Sequence, residues 1–356
     1  MKKIKTTTIL ALAIVLCVGV LSGCNNKNTE TGSKGEGSRL STNVIKTSGK
    51  KYDDYVVKVV NNGGLCTAPI QMAFEKGFFE EEGLKVDMIQ STNSSQDLLT
   101  SGKADVGQDM LPNTVLRINN GLDVRTSMGI QTGCLSIIVS TDSEIKEVSD
   151  LKGKKIGVPG LGSSQMAIAQ RALADVNIST SAENMEVEFV AFSGSELAMV
   201  LENGTVDAVV AADPVSQNIV REKIGKVIFS NTDHANYKDE YCCVLNLSPD
   251  FVDNHPVAAE KVTRAVQKAV KFVRENPEET AKIQVEKNYI PKDDPVYYAE
   301  MLKTYNWGGS VKGGREALRN NLVDLEKLNL IDGDMDIDKV IDKVYIEFEN
   351  LEDSMK

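Results

Sequence analysis

The sequence predicts an α/β protein of two lobes, and three observations carry that prediction. Short β-branched runs alternate with amphipathic stretches along most of the chain. The 356 residues exceed what a single core comfortably holds. One local pattern also occurs twice, in Leu98-Leu-Thr-Ser-Gly-Lys-Ala-Asp-Val106 and in Val200-Leu-Glu-Asn-Gly-Thr-Val-Asp-Ala208. In each, a helix closes on a glycine at its C-cap (Gly102, Gly204), and an aspartate three residues on (Asp105, Asp207) opens a strand. A shared capping solution accounts for this likeness as well as duplication does.

The elements follow in order. Residues 55–60 form a β-branched strand that ends at Asn61-Asn62-Gly63-Gly64. Ile70, Met72, Ala73, Phe74, Phe78 and Phe79 fall near helical spacing over 68–82, and Gly83 stops that helix. A strand over 84–90, a helix over 94–101, a strand over 104–107 and a helix over 110–119 come next. Strands over 124–130 and 135–140 follow, and the rhythm restarts with a strand over 155–158. The loop Gly160-Leu-Gly-Ser-Ser164 leads into a helix from Gln165. Strands over 187–191, 206–211, 226–230 and 241–247 alternate with helices over 195–202 and 215–222. A long amphipathic helix over 257–274 opens a mostly helical remainder. The alternation predicts largely parallel sheets.

The chain begins with Lys2, Lys3 and Lys5, then an apolar run to Leu21 and the sequence Leu21-Ser22-Gly23-Cys24. This order reads as a secretion signal over 1–23. The apolar run, about 13 residues, falls short of the roughly 20 that a spanning helix needs. The last four residues resemble a bacterial lipobox, which implies cleavage before Cys24 and fatty acylation of its sulfur. Residues 24–51, rich in Asn, Lys, Thr, Gly and Ser, read as a flexible tether. Removing residues 1–23 takes the formal charge from −11 to −14. So acidic a surface argues against nucleic acid and against a polybasic membrane contact. Cys66, Cys134, Cys242 and Cys243 lack metal-knuckle or redox spacing and read as thiols or one long-range pair.

Several segments, in this order and spacing, resemble the periplasmic-type solute-binding proteins of ABC importers. They are Ala68-Pro69 with 73–86, Gly102-Lys-Ala-Asp-Val106, Asp150-Leu-Lys-Gly-Lys-Lys-Ile-Gly-Val158, Gly204-Thr-Val-Asp-Ala208 with Asp213-Pro214, and His255-Pro256. The branch is the one that holds binders of sulfonates, taurine, nitrate and a thiamine-pyrimidine precursor. The resemblance implies a type II periplasmic-binding-protein-like fold. Lobe one would be 52–133 with 248–356 and lobe two 134–247, with crossovers near Gly133-Cys134 and Asn246-Ser248. It also implies a monomer that takes a small-molecule ligand and works with an ABC permease and its ATPase, anchored to the membrane through lipid on Cys24, with no cofactor or metal.

Ligands of open α/β sheets sit beyond the carboxyl ends of strands, and candidate groups are chosen there. Gly162, Ser163, Ser164 and Gln165 open a helix and either hold an anion or cap the helix. Gly160 and Gly162 fit a dinucleotide fingerprint, but Gln165 stands where its third glycine belongs. Cys66 and Thr67 follow the first strand; Thr67 either binds ligand or caps the next helix. Gln108 and Asp109 end the third strand, where a carboxylate either holds an amine or caps. Gln131 and Thr132 either face ligand or hold the hinge at the first crossover, and Asp213 either binds ligand or sets the turn before Pro214. Trp307 reads as core filler. Donors at one end and carboxylates at the other favour a small zwitterion such as an aminosulfonate, with an amine-bearing pyrimidine as the alternative.

Catalytic signals are sparse. Only His234 and His255 occur, and neither a nucleophile elbow nor a zinc-protease helix is present. Asp332, Asp334, Asp336 and Asp338 mimic a calcium loop, but Ile337 replaces its glycine and Lys343 its glutamate. The reading is a binding protein. A precursor-forming enzyme of the same fold and a sensor that docks on a membrane receptor are the alternatives.

Overall fold

The computed structural model describes residues 43–91 and 94–354. The expected signal, Cys17, Cys24 and the tether up to residue 42 lie outside the described residues. The first half runs β1 (Asn43–Ile45), β2 (Val56–Asn61), α1 (Ala68–Glu75), α2 (Phe78–Glu81), β3 (Lys85–Gln90), α3 (Ser95–Thr100), β4 (Val106–Met110), α4 (Leu111–Asn119) and β5 (Arg125–Thr132). The second half runs β6 (Leu135–Ser140), β7 (Lys155–Val158), α5 (Ser164–Asp175), β8 (Glu188–Ala191), α6 (Leu197–Glu202), β9 (Ala208–Ala212), α7 (Val215–Arg221) and β10 (Gly225–Ser230). The chain then returns through β11 (Tyr241–Leu247), α8 (Pro249–Asn254), α9 (Pro256–Glu275), α10 (Pro277–Glu286), α11 (Pro295–Thr304), α12 (Val311–Lys327), α13 (Ile337–Val344) and β12 (Ile346–Phe348).

The strands build two five-stranded sheets, ordered β3-β2-β4-β11-β5 and β10-β6-β9-β7-β8, plus a small parallel pair of β1 with β12. The sheets are mixed, not largely parallel. β2 pairs with β3 and β4 in parallel, and β7 with β8 and β9. β11 is antiparallel to β4 and β5, and β6 is antiparallel to β9 and β10. β11 and β6 are the strands that arrive from the other lobe, so each enters its sheet running backwards.

Two expected boundaries move. Tyr241–Leu247 belongs to the first sheet, between β4 and β5, so the second passage between lobes is 231–240 and not Asn246-Ser248. The first passage stays at Gly133-Cys134. β1 lies inside the expected tether, because its backbone pairs with Ile346–Phe348 and thereby ties both ends of the described chain together.

Three apolar clusters hold the described residues, the least of them Val60, Leu99 and Ala104. A small one joins Ile138, Leu197, Val200, Leu201, Val206, Val209, Ala211 and Ile219 on one face of the second sheet. The largest runs from α1 and β2 through α9 and α12 and continues into the second lobe. α9 buries Ala258, Val262, Ala265, Val266, Ala269, Val270 and Val273 on one stripe. Trp307 is buried as core, with its indole N–H donating to the Leu302 carbonyl at 2.8 Å. The aspartate run is a helix start, since the Asp336 side chain caps α13 by accepting from the Lys339 N–H.

Candidate functional site

A cavity of about 430 Å³ opens between the lobes. Its walls are the segments at the carboxyl ends of β2, β4 and β9 together with the N-terminus of α5. Among the sequence-derived candidates, Cys66, Thr67, Gln108, Asp109, Ser163, Ser164, Gln165 and Asp213 line it. Gly162 does not; it turns the loop ahead of α5 with φ 81°. Gln131 and Thr132 do not line it either. Both are buried at the end of β5, just before the first passage, where the Thr132 N–H donates to the Asn306 carbonyl at 3.2 Å and Gln131 bridges to Trp307. They belong to the join between lobes.

The wall from lobe two is a helix start. The Ser163 hydroxyl accepts from the Met166 N–H at 3.2 Å and so caps α5. The Ser164 hydroxyl accepts the Asn113 N–H at 3.0 Å, a hydrogen bond that joins α5 of lobe two to α4 of lobe one. Each serine keeps its own O–H to donate. The first N–H groups of a helix have no acceptor within it, which leaves this end electropositive. Asp213 follows β9; its carboxylate accepts from Ser216 and, at 2.8 Å, from the Tyr305 hydroxyl of lobe one.

The wall from lobe one is polar and buried. Thr67 sits at the N-cap of α1 without capping it. Its hydroxyl lies 2.7 Å from the Gly63 and Gly64 carbonyls and accepts from the Gln71 amide, so it shapes the loop. The Gln108 amide donates to the Cys66 carbonyl, and its own buried carbonyl oxygen has no partner among the described residues. Asp109 is nearly buried and accepts from the Asn246 amide at 3.1 Å.

Burial holds both cavity carboxyls above their ordinary range. For Asp109, hydrogen bonds from Ser95 and Asn246 offset that rise only in part; for Asp213, Ser216, Tyr305 and Gln217 do the same. Among the described lining residues none is Lys or Arg. The cavity thus presents the Asp109 carboxyl and the Gln108 carbonyl along lobe one, and hydroxyl and backbone donors beside the Asp213 carboxyl along lobe two.

Sequence reasoning missed Ser94, Asn113 and Cys243, which also line the cavity. Asn113 follows Pro112 in the first turn of α4, and Pro at a helix start is a signal for such a rim position. Cys243 was hidden because β11 read as the end of lobe two. A second hollow, about 400 Å³, lies at the far end of the first sheet near Asp105 and His255. Its polar groups engage one another: the Tyr55 hydroxyl meets Asp105 at 3.1 Å, and His255 stacks on Tyr55 while pairing with Asp53.

Comparison with known proteins places this geometry. The pattern of the family described as NMT1/THI5 like matches residues 66–280. A putative thiamine biosynthesis protein of Haemophilus influenzae is 32% identical over 148 residues, 41% of this chain and 45% of that protein. The 4-amino-5-hydroxymethyl-2-methylpyrimidine phosphate synthase THI13 of Saccharomyces cerevisiae is 26% identical over 227 residues, 59% of this chain and 64% of the synthase. The chain therefore spans less than two thirds of the length of either relative. Among solved structures, the alkanesulfonate-binding protein of Xanthomonas axonopodis pv. citri superposes with a TM-score of 0.66 at 14% identity, over 83% of this chain and 99% of that one. The periplasmic nitrate-binding protein of Synechocystis gives 0.69 at 16% identity, over 83% and 86%. The fold is that of the periplasmic binding proteins, and with well over half of its residues matched the chain belongs to the NMT1/THI5-like family.

Proposed function

We propose that this protein is the extracytoplasmic, lipid-anchored solute-binding component of an ABC importer, and that it holds a small amine-bearing heterocycle of the pyrimidine class between its lobes. The observation that carries the reading is the cavity itself: walls from both lobes, Asp109 on one and Asp213 on the other, and no lysine or arginine among the described lining residues. A bare anion would meet two carboxyls and no cation. The amino group of an aminopyrimidine, and its ring N–H when protonated, donate to a carboxylate, and a further amino hydrogen suits the buried Gln108 oxygen, which has no partner among the described residues. The pyrimidine in the name of the yeast synthase supports the same choice. The names of the structural neighbours, alkanesulfonate- and nitrate-binding proteins, support the binding role.

Ligand contacts made from both lobes favour the closed arrangement by their extra free energy there. The closed state would then be presented to a membrane permease by a monomer tethered through Cys24. The position of the α5 N-terminus opposite the carboxyls keeps an aminosulfonate as the second reading, with its sulfonate at the helix and its amine at Asp109.

A thermal-shift panel tests this. A chain that starts at Leu40, ahead of β1, is melted with aminopyrimidines, taurine, alkylsulfonates, nitrate and amino acids. A ligand that binds only the folded state raises Tm. The expected result is a rise with aminopyrimidines, lost in Asp109→Ala. A rise with taurine alone moves the assignment to the aminosulfonate, and turnover of a bound compound to a new product replaces the transport reading with the enzyme one. For the anchor, Cys24→Ala is expected to move the protein from membrane to soluble fractions; unchanged retention contradicts it.

A further inference from the structure

Four thiols gather where the lobes join. Cys66 and Cys243 line the cavity, and the sulfurs of Cys134, Cys242 and Cys243 lie within 4.8 Å of one another. Cys134 Sγ is 3.5 Å from Cys242 Sγ, although the two are 108 positions apart in the chain. They belong to different passages. Cys134 closes the first, between β5 and β6, and Cys242 stands in β11 directly after the second.

Three features hold this pair in place. The passages are tied side by side, since the Leu135 N–H donates to the Asn231 side chain at 2.8 Å and the Asn231 N–H to the Leu135 carbonyl at 3.0 Å. Cys134 has φ 89°, a left-handed backbone that a residue with a Cβ rarely adopts, and such strain collects at functional positions. Both side chains are almost fully buried, so their mutual approach is fixed by the packing around them. The two thiols also differ in acidity: contact with Cys134 and Cys243 draws Cys242 down, while contact with Cys242 and Cys243 pushes Cys134 up.

We propose that Cys134 and Cys242 form a disulfide that staples the two interlobe passages, with a thiol–disulfide oxidase or a small disulfide of the glutathione type as oxidant. The Cys242 thiolate attacks one sulfur of the oxidant's disulfide, and the other leaves as a thiol. The Cys134 sulfur gives up its proton and attacks Cys242 Sγ, closing the protein disulfide and expelling the second oxidant thiol. Two cysteine thiols lose two electrons and two protons, and one disulfide becomes two thiols. Because the pair is buried once folded, the exchange runs while the passages assemble. The bond closes a loop that contains the whole second lobe, which restricts the unfolded chain. It also fixes the spacing of the strands about which the lobes turn. Cys66 and Cys243 stay reduced at the cavity.

The test is refolding of the full chain in glutathione buffers over a range of potentials, then alkylation and peptide mapping without reduction. The expected result is a linked pair of peptides carrying Cys134 and Cys242, lighter by two hydrogens, with Cys66 alkylated. The link persists in Cys243→Ala and disappears in Cys242→Ala, and the oxidised chain melts several degrees above the reduced one. A link through Cys243, a Cys66–Cys243 link, alkylation of Cys66, Cys134, Cys242 and Cys243 together at every potential, or a metal ion retained on the three sulfurs in native mass spectrometry would each overturn the proposal. Mapping of the unsubstituted chain decides the matter even if a variant fails to fold.

Discussion

The first sheet runs β3-β2-β4-β11-β5 and the second β8-β7-β9-β6-β10, so the two lobes repeat one strand order. In each, a central strand is flanked by two parallel neighbours, and the fourth strand arrives antiparallel from the other lobe. The turn before the third strand is also repeated. The Asp105 carboxylate accepts the Lys58 N–H, and the Asp207 carboxylate the Lys155 N–H, both at 2.8 Å. The lobes differ in what surrounds that frame. Lobe one gains α9 to α13, which bury its outer faces, and it places Gln108 and Asp109 in a dense polar layer. Lobe two is one continuous stretch with a smaller cluster of its own, and it contributes a helix N-terminus. The same sheet thus yields a buried polar wall in one lobe and a half-buried helix-start wall in the other.

The sharpest way to probe this difference is to add one carbon to a packed glycine of each lobe. A Cβ on Gly314 of α12 would lie 2.2 Å from the Gly129 backbone nitrogen, and neither backbone can yield. Gly314→Ala is expected to cost about 3 kcal/mol or more, despite the helix propensity that alanine adds. A Cβ on Gly157 in the second sheet meets only side chains, the nearest Val209 Cγ1 at 3.2 Å. Gly157→Ala should cost about 1 kcal/mol. Urea melts of both variants check the order; equal losses would mean that the lobes are packed alike.

The paired turns give the next test. Asp105 is nearly buried and also receives the Tyr55 hydroxyl, whereas Asp207 is partly exposed. Asp105→Ala should cost about 1–3 kcal/mol, because it strands buried donors, and Asp207→Ala about 0.5–1.5 kcal/mol.

Asp109 carries a pH signature. Its native carboxyl holds its proton to higher pH than the ordinary value of 3.8, because burial disfavours the charge. Its contribution is therefore fully present below that value and is lost as pH rises through the native pKa. Asp109→Asn should flatten the fall in stability over that window and leave the chain more stable at pH 7. Melting curves from pH 3 to 8 would show it, and an unchanged profile would mean that the carboxyl is solvated.

The smallest effects belong to the α5 N-terminus. Ser163→Ala removes a cap, about 1 kcal/mol. Ser164→Ala removes the single hydrogen bond to the Asn113 N–H, about 0.5–1.5 kcal/mol, and should ease lobe opening. A larger loss for Ser164 than for Asp105 would invert the comparison.

Much of this was legible in the chain because the signals are local. Gly102 and Gly204 mark helix ends, Ser163 marks a helix start, and strand ends point to Gln108, Asp109 and Asp213. What stayed hidden is decided by pairing across the sequence. Tyr241–Leu247 reads as a strand for either lobe, and only its register with β4 and β5 assigns it. That assignment moves the second passage and brings Cys243 to the cavity. β1 has three residues in a polar stretch, and nothing in it announces a partner three hundred positions away. Gln131 and Thr132 end β5 beside the first passage, and the packing of Trp307 and Asn306 keeps them from the cavity.

The most direct test of the account is a calorimetric titration of a 4-aminopyrimidine, with taurine and nitrate in parallel, into the unsubstituted chain and into Asp109→Asn. The account predicts saturable one-to-one binding of the aminopyrimidine, weaker in the variant, with little heat from nitrate. Tight nitrate binding, or aminopyrimidine binding that is indifferent to Asp109, would contradict it.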